Sequence, residues 1–162
     1  MQLQPFTPEH WPAAKAIYEA GIATGHATFT TEAPTWEEWD NGHLAHSRLV
    51  ALHEARLVGW AALSAVSGRC VYGGVAEVSV YIAPEARGQG VGRQLLAALI
   101  ASSEAHNMWT LQAGIFPENH ASVRLHESLG FRQVGRRERI GQLAGHWRDT
   151  LLLERRSTVV GV

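Results

Sequence analysis

The sequence predicts an α/β fold of α+β mixed-sheet type, with one open sheet of about seven strands flanked by about four helices. Three observations lead there. Residues 76–100, AEVSVYIAPEARGQGVGRQLLAALI, read as an apolar strand, a glycine-rich turn and a helix. The apolar runs Leu49–Leu52 and Leu57–Leu63 are separated only by a short polar turn around Glu54-Ala55-Arg56, which makes an antiparallel hairpin. Elsewhere, segments of helical and strand period follow in the order β-α-α-β-β-β-α-β-α-β-β. The strand–helix–strand crossover around the glycine turn makes the sheet mixed.

The elements follow from local chemistry. Met1–Phe6 is a short first strand. Thr7 caps a helix with Pro8 at its first position, and Trp11, Ala14, Tyr18 and Ile22 recur at helical spacing. Gly21 and Gly25 loosen its end, and residues 25–34, GHATFTTEAP, form a loop. Thr35-Trp36-Glu37-Glu38 fits a capping box and opens a second helix, expected to run to about His46 with His43 and His46 on its solvated face. After the hairpin, residues 64–77 make a glycine-containing connection into the strand Val78–Ile82, which Pro84 ends because proline lacks the ladder N–H. The helix after Gly92 carries Leu95, Leu96, Leu99 and Ile100 and ends near His106-Asn107. Met108–Ile115 is a strand broken by Pro117. Asn119–Leu129 is a helix closed by Gly130. Phe131–Ile140 and Leu143–Leu153 are two last strands, before a tail without clear structure.

Composition narrows the function. The 162 residues suffice for one domain with one core, and no linker or repeat divides them. A net charge of −1 gives no electrostatic case for nucleic acid or an anionic membrane. The single cysteine, Cys70, excludes an internal disulfide and a cysteine-rich zinc site, and the histidines lack metal-ligand spacing, so no metal is expected. One free cysteine and an N-terminus without a long apolar run fit a cytoplasmic protein.

The chemistry concentrates at Arg87-Gly88-Gln89-Gly90-Val91-Gly92-Arg93. Glycines let a ligand approach the main chain, and the first amides of the following helix lack internal acceptors at the positive end of its dipole. That is a pyrophosphate seat, at the carboxyl end of the strand where ligands of such sheets lie. It has no Gly-Lys-Ser/Thr of a Walker A loop, and it reads G-x-G-x-G rather than G-x-G-x-x-G. A second pattern lies at 119–131, NHASVRLHESLGF. Ala121, Leu125 and Leu129 form an apolar face, whereas Asn119, Ser122 and His126 share another that suits a ligand's amides and thiol.

Arg87-x-x-Gly90-x-Gly92 after a strand resembles the coenzyme A signature of the GNAT N-acetyltransferase superfamily, and Asn119–Phe131 resembles its second coenzyme segment. The resemblance implies a single GNAT-like domain over 1–155 with a tail at 156–162, and acetyl-CoA as co-substrate without a metal. Coenzyme contacts are then expected from Val80, Tyr81, Ile82, Arg87, Gly88, Gln89, Gly90, Val91, Gly92, Arg93, Asn119 and Ser122. Many members have a tyrosine acid at the His126 position; here a histidine stands in its place.

Amine acetylation needs a base, because an ammonium is no nucleophile, and a donor for the carbonyl oxygen. By resemblance the donor is the N–H near Val80, freed if a bulge splays the strand. Glu77, a carboxylate in an apolar strand, is the base candidate, directly or through water; an ion pair with an arginine or an exposed strand end is the alternative.

Over nearly the whole chain the sequence resembles the phosphinothricin and methionine sulfoximine N-acetyltransferase branch. The supporting runs are residues 22–29, 67–72, 77–81 and 145–149. Ser67 stands where that branch often has a first arginine, and Thr30 where it often has glutamate; Arg69 and Tyr72 match. The branch implies an acceptor site from Phe29, Arg69, Tyr72, Glu77 and Ser79, with Arg69 gripping a carboxylate or phosphinate through two hydrogen bonds. Trp147 and Asp149 either shape that pocket or meet another subunit, and the branch implies a homodimer. The expected function is direct transfer of acetyl to the α-amine of a small amino-acid-like molecule. The alternatives are another amine (a protein N-terminus, polyamine or aminoglycoside) and a non-catalytic acyl-CoA sensor.

Overall fold

A computed structural model describes residues 1–162. The elements are β1 (Gln2–Pro5), α1 (Trp11–Ala23), α2 (Trp36–Gly42), β2 (Leu49–His53), β3 (Arg56–Ala65), β4 (Val75–Ile82), α3 (Val91–Ala105), β5 (Thr110–Ile115), α4 (His120–Ser128), β6 (Arg132–Leu143) and β7 (His146–Arg156). The strands form one mixed sheet in the order β1-β2-β3-β4-β5-β7-β6, parallel only between β4 and β5. This is the α/β mixed-sheet architecture the sequence predicts. No helix is long and apolar enough to cross a membrane.

Each face of the sheet has its own filling. On one, aromatic rings join α1 and α2 to the strands: Phe6 stacks on Trp39 at 4.6 Å, and Tyr81 stacks on Tyr18 at 4.7 Å and Trp60 at 4.9 Å. On the other, Leu95, Leu96 and Leu99 of α3 are fully buried. Gly59 of β3 admits Leu95 and Ile82, because a Cβ there would lie 2.9 Å from each.

Four local expectations need correction. The second helix stops at Gly42 rather than near His46, because the Arg48 guanidinium takes the carbonyls of Asp40, His43 and Leu44 and pairs with the Asp40 carboxylate. His43 and His46 therefore lie beyond the helix and are only partly exposed. His43 stacks on Trp39 at 4.1 Å, and His46 on His106 at 4.1 Å. The last hairpin turns at Ala144-Gly145, both at positive φ, three residues later than the strand pattern suggests. The tail is tied down: Arg156 donates to Trp109 O, Ser157 O, Val160 O and Gly161 O, and Ser157 Oγ donates to Glu104.

Candidate active site

The glycine turn lies where β4 gives way to α3. Gly88 (φ +74°) and Gly90 (φ +81°) adopt the left-handed conformation, and a Cβ built at either meets open space. Glycine is needed there for conformation and leaves the main chain uncovered. Gly90 caps α3 without a side-chain hydrogen bond, and the first helical bond runs from Gln94 N–H to Gly90 O. The amides of Val91, Gly92 and Arg93 therefore have no partner one turn back. A diphosphate fits such a row of amides, with Arg87 exposed beside it. Arg93 reaches α4, donating to Ser128 Oγ at 2.8 Å, and Gly92 lets Leu125 close to 3.2 Å of a would-be Cβ.

β4 and β5 then form a fork. They pair only at Val75–Thr110, Ala76–Leu111 and Glu77–Gln112. Beyond that point β4 stays with β3 to Ile82, and β5 stays with β7 to Ile115. The register of β4 against β3 is unbroken, so the splay comes from β5 departing with β7 and not from the bulge expected in β4. Ala83 N–H donates to Val58 O of β3 at 2.8 Å. Because amides alternate sides along a strand, the N–H of Val80 points away from β3, into the fork.

Glu77 sits at the base of the fork. Its Oε1 is 3.8 Å from a would-be Cβ of Gly114, and Gln112 Nε2 approaches it at 3.4 Å, a long contact. No arginine or lysine pairs with it. The ion-pair alternative is thus absent, and the carboxylate is half-buried. Ser79 and Tyr81 follow on the same strand face. Tyr81 lies flat on α1 because Gly21 has no side chain; a Cβ there would be 2.9 Å from its ring. Burial pushes its phenol well above the ordinary tyrosine range. The Ile82 side chain packs toward Gly59 and Gly92. By the same alternation the main chain of Tyr81 faces β3, and of the two residues only Ile82 turns its backbone toward the fork.

The α4 pattern is oriented differently from the expectation. His126 is its most buried residue, 4% exposed, whereas Ala121 of the expected apolar face is exposed. The imidazole fills an aromatic slot against Phe131, edge-on at 5.0 Å, and its Nδ1 bonds Ser122 O at 2.7 Å. A carbonyl only accepts, so Nδ1 carries the hydrogen and neutral His126 keeps a lone pair on Nε2. Burial lowers its pKa below the ordinary histidine value, against the opposing effect of that hydrogen bond. Asn119 caps α4, its Oδ1 accepting from Ser122 N–H, while its Nδ2 donates to His26 O at 3.2 Å.

The acceptor-side residues lie on two segments. Phe29 packs edge-on against Phe116 at 4.9 Å and onto Gly141, where a Cβ would come within 3.1 Å of its ring. Arg69 and Tyr72 are exposed on the connection between β3 and β4, with the guanidinium 5.5 Å over the Tyr72 ring and Arg69 N–H donating to Ser67 Oγ. Cys70, beside them, is exposed and free. Asp149 accepts from Arg139 N–H and Arg136, which hold its carboxyl below the ordinary range and fix the irregular stretch of β6. Trp147, at the start of β7, is 58% exposed. Sequence reasoning missed Arg148, which joins the 25–29 loop to the start of α4; only the fold brings those segments together. No group of three or more His, Cys, Asp or Glu could hold a metal ion.

These features have counterparts in known proteins. The sequence profile of the acetyltransferase (GNAT) family matches residues 10–131. A phosphinothricin N-acetyltransferase from Alcaligenes faecalis is 39% identical over 153 residues, covering 89% of this chain and 76% of that protein. A GNAT superfamily phosphinothricin acetyltransferase from Sinorhizobium meliloti, solved in complex with AcCoA, superposes with a TM-score of 0.87 at 29% identity, over 99% of this chain and 90% of that one. A ribosomal-protein-alanine N-acetyltransferase from Brucella melitensis superposes with a TM-score of 0.88 at 32% identity, over 97% of this chain and 100% of that one.

Proposed function

The chain belongs to the GNAT acetyltransferase family as an acetyl-CoA-dependent N-acetyltransferase, and from that premise we propose direct transfer to the α-amine of a small anionic amino acid analogue. Phosphinothricin and methionine sulfoximine or sulfone are the acceptors we favour. The observation that carries this reading is the unpaired Glu77 carboxylate at the base of the β4–β5 fork. It lies at the opposite end of β4 from the glycine turn and faces the same gap as the Val80 N–H.

The amides of Gly88–Arg93 would hold the coenzyme diphosphate, with Arg87 beside them. Bound there, acetyl-CoA supplies an acetyl group activated as a thioester. Glu77 takes the proton of the acceptor ammonium, directly or through water, which gives a neutral nucleophile. The Val80 N–H donates to the carbonyl oxygen as negative charge develops on it. Neutral His126 presents Nε2 as an acceptor, so it orients the S–H of the released thiol; as a proton donor it must first be protonated, unlike a tyrosine acid. Arg69 pairs with the acceptor's anionic group. Cys70 has no histidine partner, which favours direct attack over an acetyl-cysteine route.

A screen with acetyl-CoA and thiol detection tests the acceptor. Phosphinothricin, methionine sulfoximine and methionine sulfone are expected to turn over, ahead of spermidine, kanamycin and short peptides. Turnover only with an alanine-initiated peptide would favour protein N-termini, the reading raised by the Brucella melitensis protein. We further propose a cytoplasmic homodimer. The long edge strand β6 and exposed Val134, Ile140 and Trp147 support a contact with a second copy. Sedimentation of the purified protein is expected to give twice the chain mass; a monomer overturns the dimer alone.

A further inference from the structure

Arg148 stands at the crossing of three segments. It pairs with Gly141 across the last hairpin, and its side chain is 16% exposed. One guanidinium nitrogen donates to Gly25 O at 2.9 Å. The other donates to His26 Nδ1 at 3.1 Å and meets Glu118 Oε2 at 3.3 Å. Its carbon lies 4.1 Å from the centre of the Phe116 ring. Arginine only donates, so His26 Nδ1 accepts and the His26 hydrogen resides on Nε2.

The partners have a common location. Phe116 and Glu118 connect β5 to α4, on the far side of the fork from β4. Gly25 and His26 begin the loop that carries Phe29, whose ring closes against Phe116 and Gly141. Asn119 adds a parallel tie to His26 O. Gly25 itself is left-handed, and the loop's other hydrogen bonds are local, from Thr24 Oγ1 to Gly21 O and from the His26 and Thr30 amides to threonine hydroxyls two residues back. Its hold on the rest of the molecule therefore runs through Arg148, Asn119, the Phe29 ring and a contact of the Thr28 side chain with the Tyr81 phenol.

We propose that Arg148 is a positioning residue that holds the 25–29 loop closed against the fork and so shapes the acceptor pocket from outside it. The proposal rests on Phe29 walling that pocket. A planar group with several fixed donors serves two loop acceptors and one carboxylate while keeping its face on Phe116. Lysine has a single ammonium and no plane, so it cannot reproduce the set.

The test uses Arg148→Met, which keeps an apolar stem over Phe116 but loses every donor, with Arg148→Lys as the second variant. The acceptor KM is expected to rise about tenfold in R148M and less in R148K, with kcat and acetyl-CoA affinity each within about threefold of wild type. Hydrogen exchange of amides 24–30 is expected to quicken in R148M while the amides of β3 and β4 keep their protection. An unchanged KM with unchanged exchange overturns the proposal. So does a uniform loss of kcat, coenzyme binding and global protection in both variants, because that describes a merely structural residue. If wild type acetylates none of the favoured acceptors, the acceptor reading fails by itself. The exchange of 24–30 then decides the Arg148 proposal alone: faster exchange in R148M upholds it and equal exchange overturns it.

Discussion

The two ends of β4 offer a ligand different kinds of contact. At the carboxyl end, the contacts available to a ligand are main-chain amides bared by Gly88 and Gly90. Toward the amino end the candidates are side chains, Glu77 from β4 and Arg69 and Tyr72 from the connection before it, while Phe29 comes from the loop after α1 and packs on Phe116 beyond β5. A main-chain site needs residues that lack side chains at fixed intervals. A side-chain site needs a fold to assemble it and leaves no contiguous mark. The first end is therefore expected to be separable from the second by mutation.

Glu77→Gln should separate them most widely. It keeps the shape and loses the base, so kcat/KM for the acceptor is expected to fall by roughly 10²–10⁴, with acetyl-CoA affinity within about twofold by calorimetry. Loss of coenzyme binding in the same variant would join the two ends into one site. Gly90→Val is the reciprocal change. A branched side chain at φ +81° is strained and sits beside the amides, so acetyl-CoA is expected to bind about tenfold or more weakly, while the acceptor KM at saturating coenzyme stays near wild type. Arg69→Leu sharpens the acceptor end alone. Its KM for an anionic amino acid is expected to rise about tenfold with kcat unchanged, and its KM for an uncharged amine should not move.

The smallest effect concerns the histidines. Burial lowers the pKa of His126 and of His43. Each native ring then releases its proton at a lower pH than the unfolded chain does. Below the ordinary value of about 6.5 the unfolded state binds more protons, so stability falls as pH falls through the window between the unfolded and native values, and is flat above it. The slope is at most ~1.4 kcal/mol per pH unit for each histidine. Thermal unfolding between pH 7.5 and pH 5 should show the decline, and His126→Phe should flatten it. An unaltered slope in that variant would mean that His126 does not titrate with folding.

The same contrast explains what the sequence could reveal. The seven strands, the four helices and the glycine turn were legible because alternation, capping at Thr35 and the Gly130 terminator act within a few residues. The end of α2 was not, because it depends on Arg48 folding back onto carbonyls that a local pattern cannot see. The fork at Val80 was anticipated, but its origin was misplaced: β5 leaves with β7, a partnership of distant segments. The inward turn of His126 depends on the Phe131 ring, and Arg148 meets its loop partners across more than a hundred residues of sequence. Thr35 and Gly88 speak for themselves, whereas Arg148 is unremarkable until the sheet is closed.

A crystal structure of the protein with acetyl-CoA tests the central claim most directly. The account predicts the diphosphate within hydrogen-bonding distance of the amides between Gly88 and Arg93, and the thioester carbonyl against the Val80 N–H with Glu77 facing the acetyl carbon. A diphosphate bound away from those amides, or an acetyl group outside the β4–β5 fork, would contradict it.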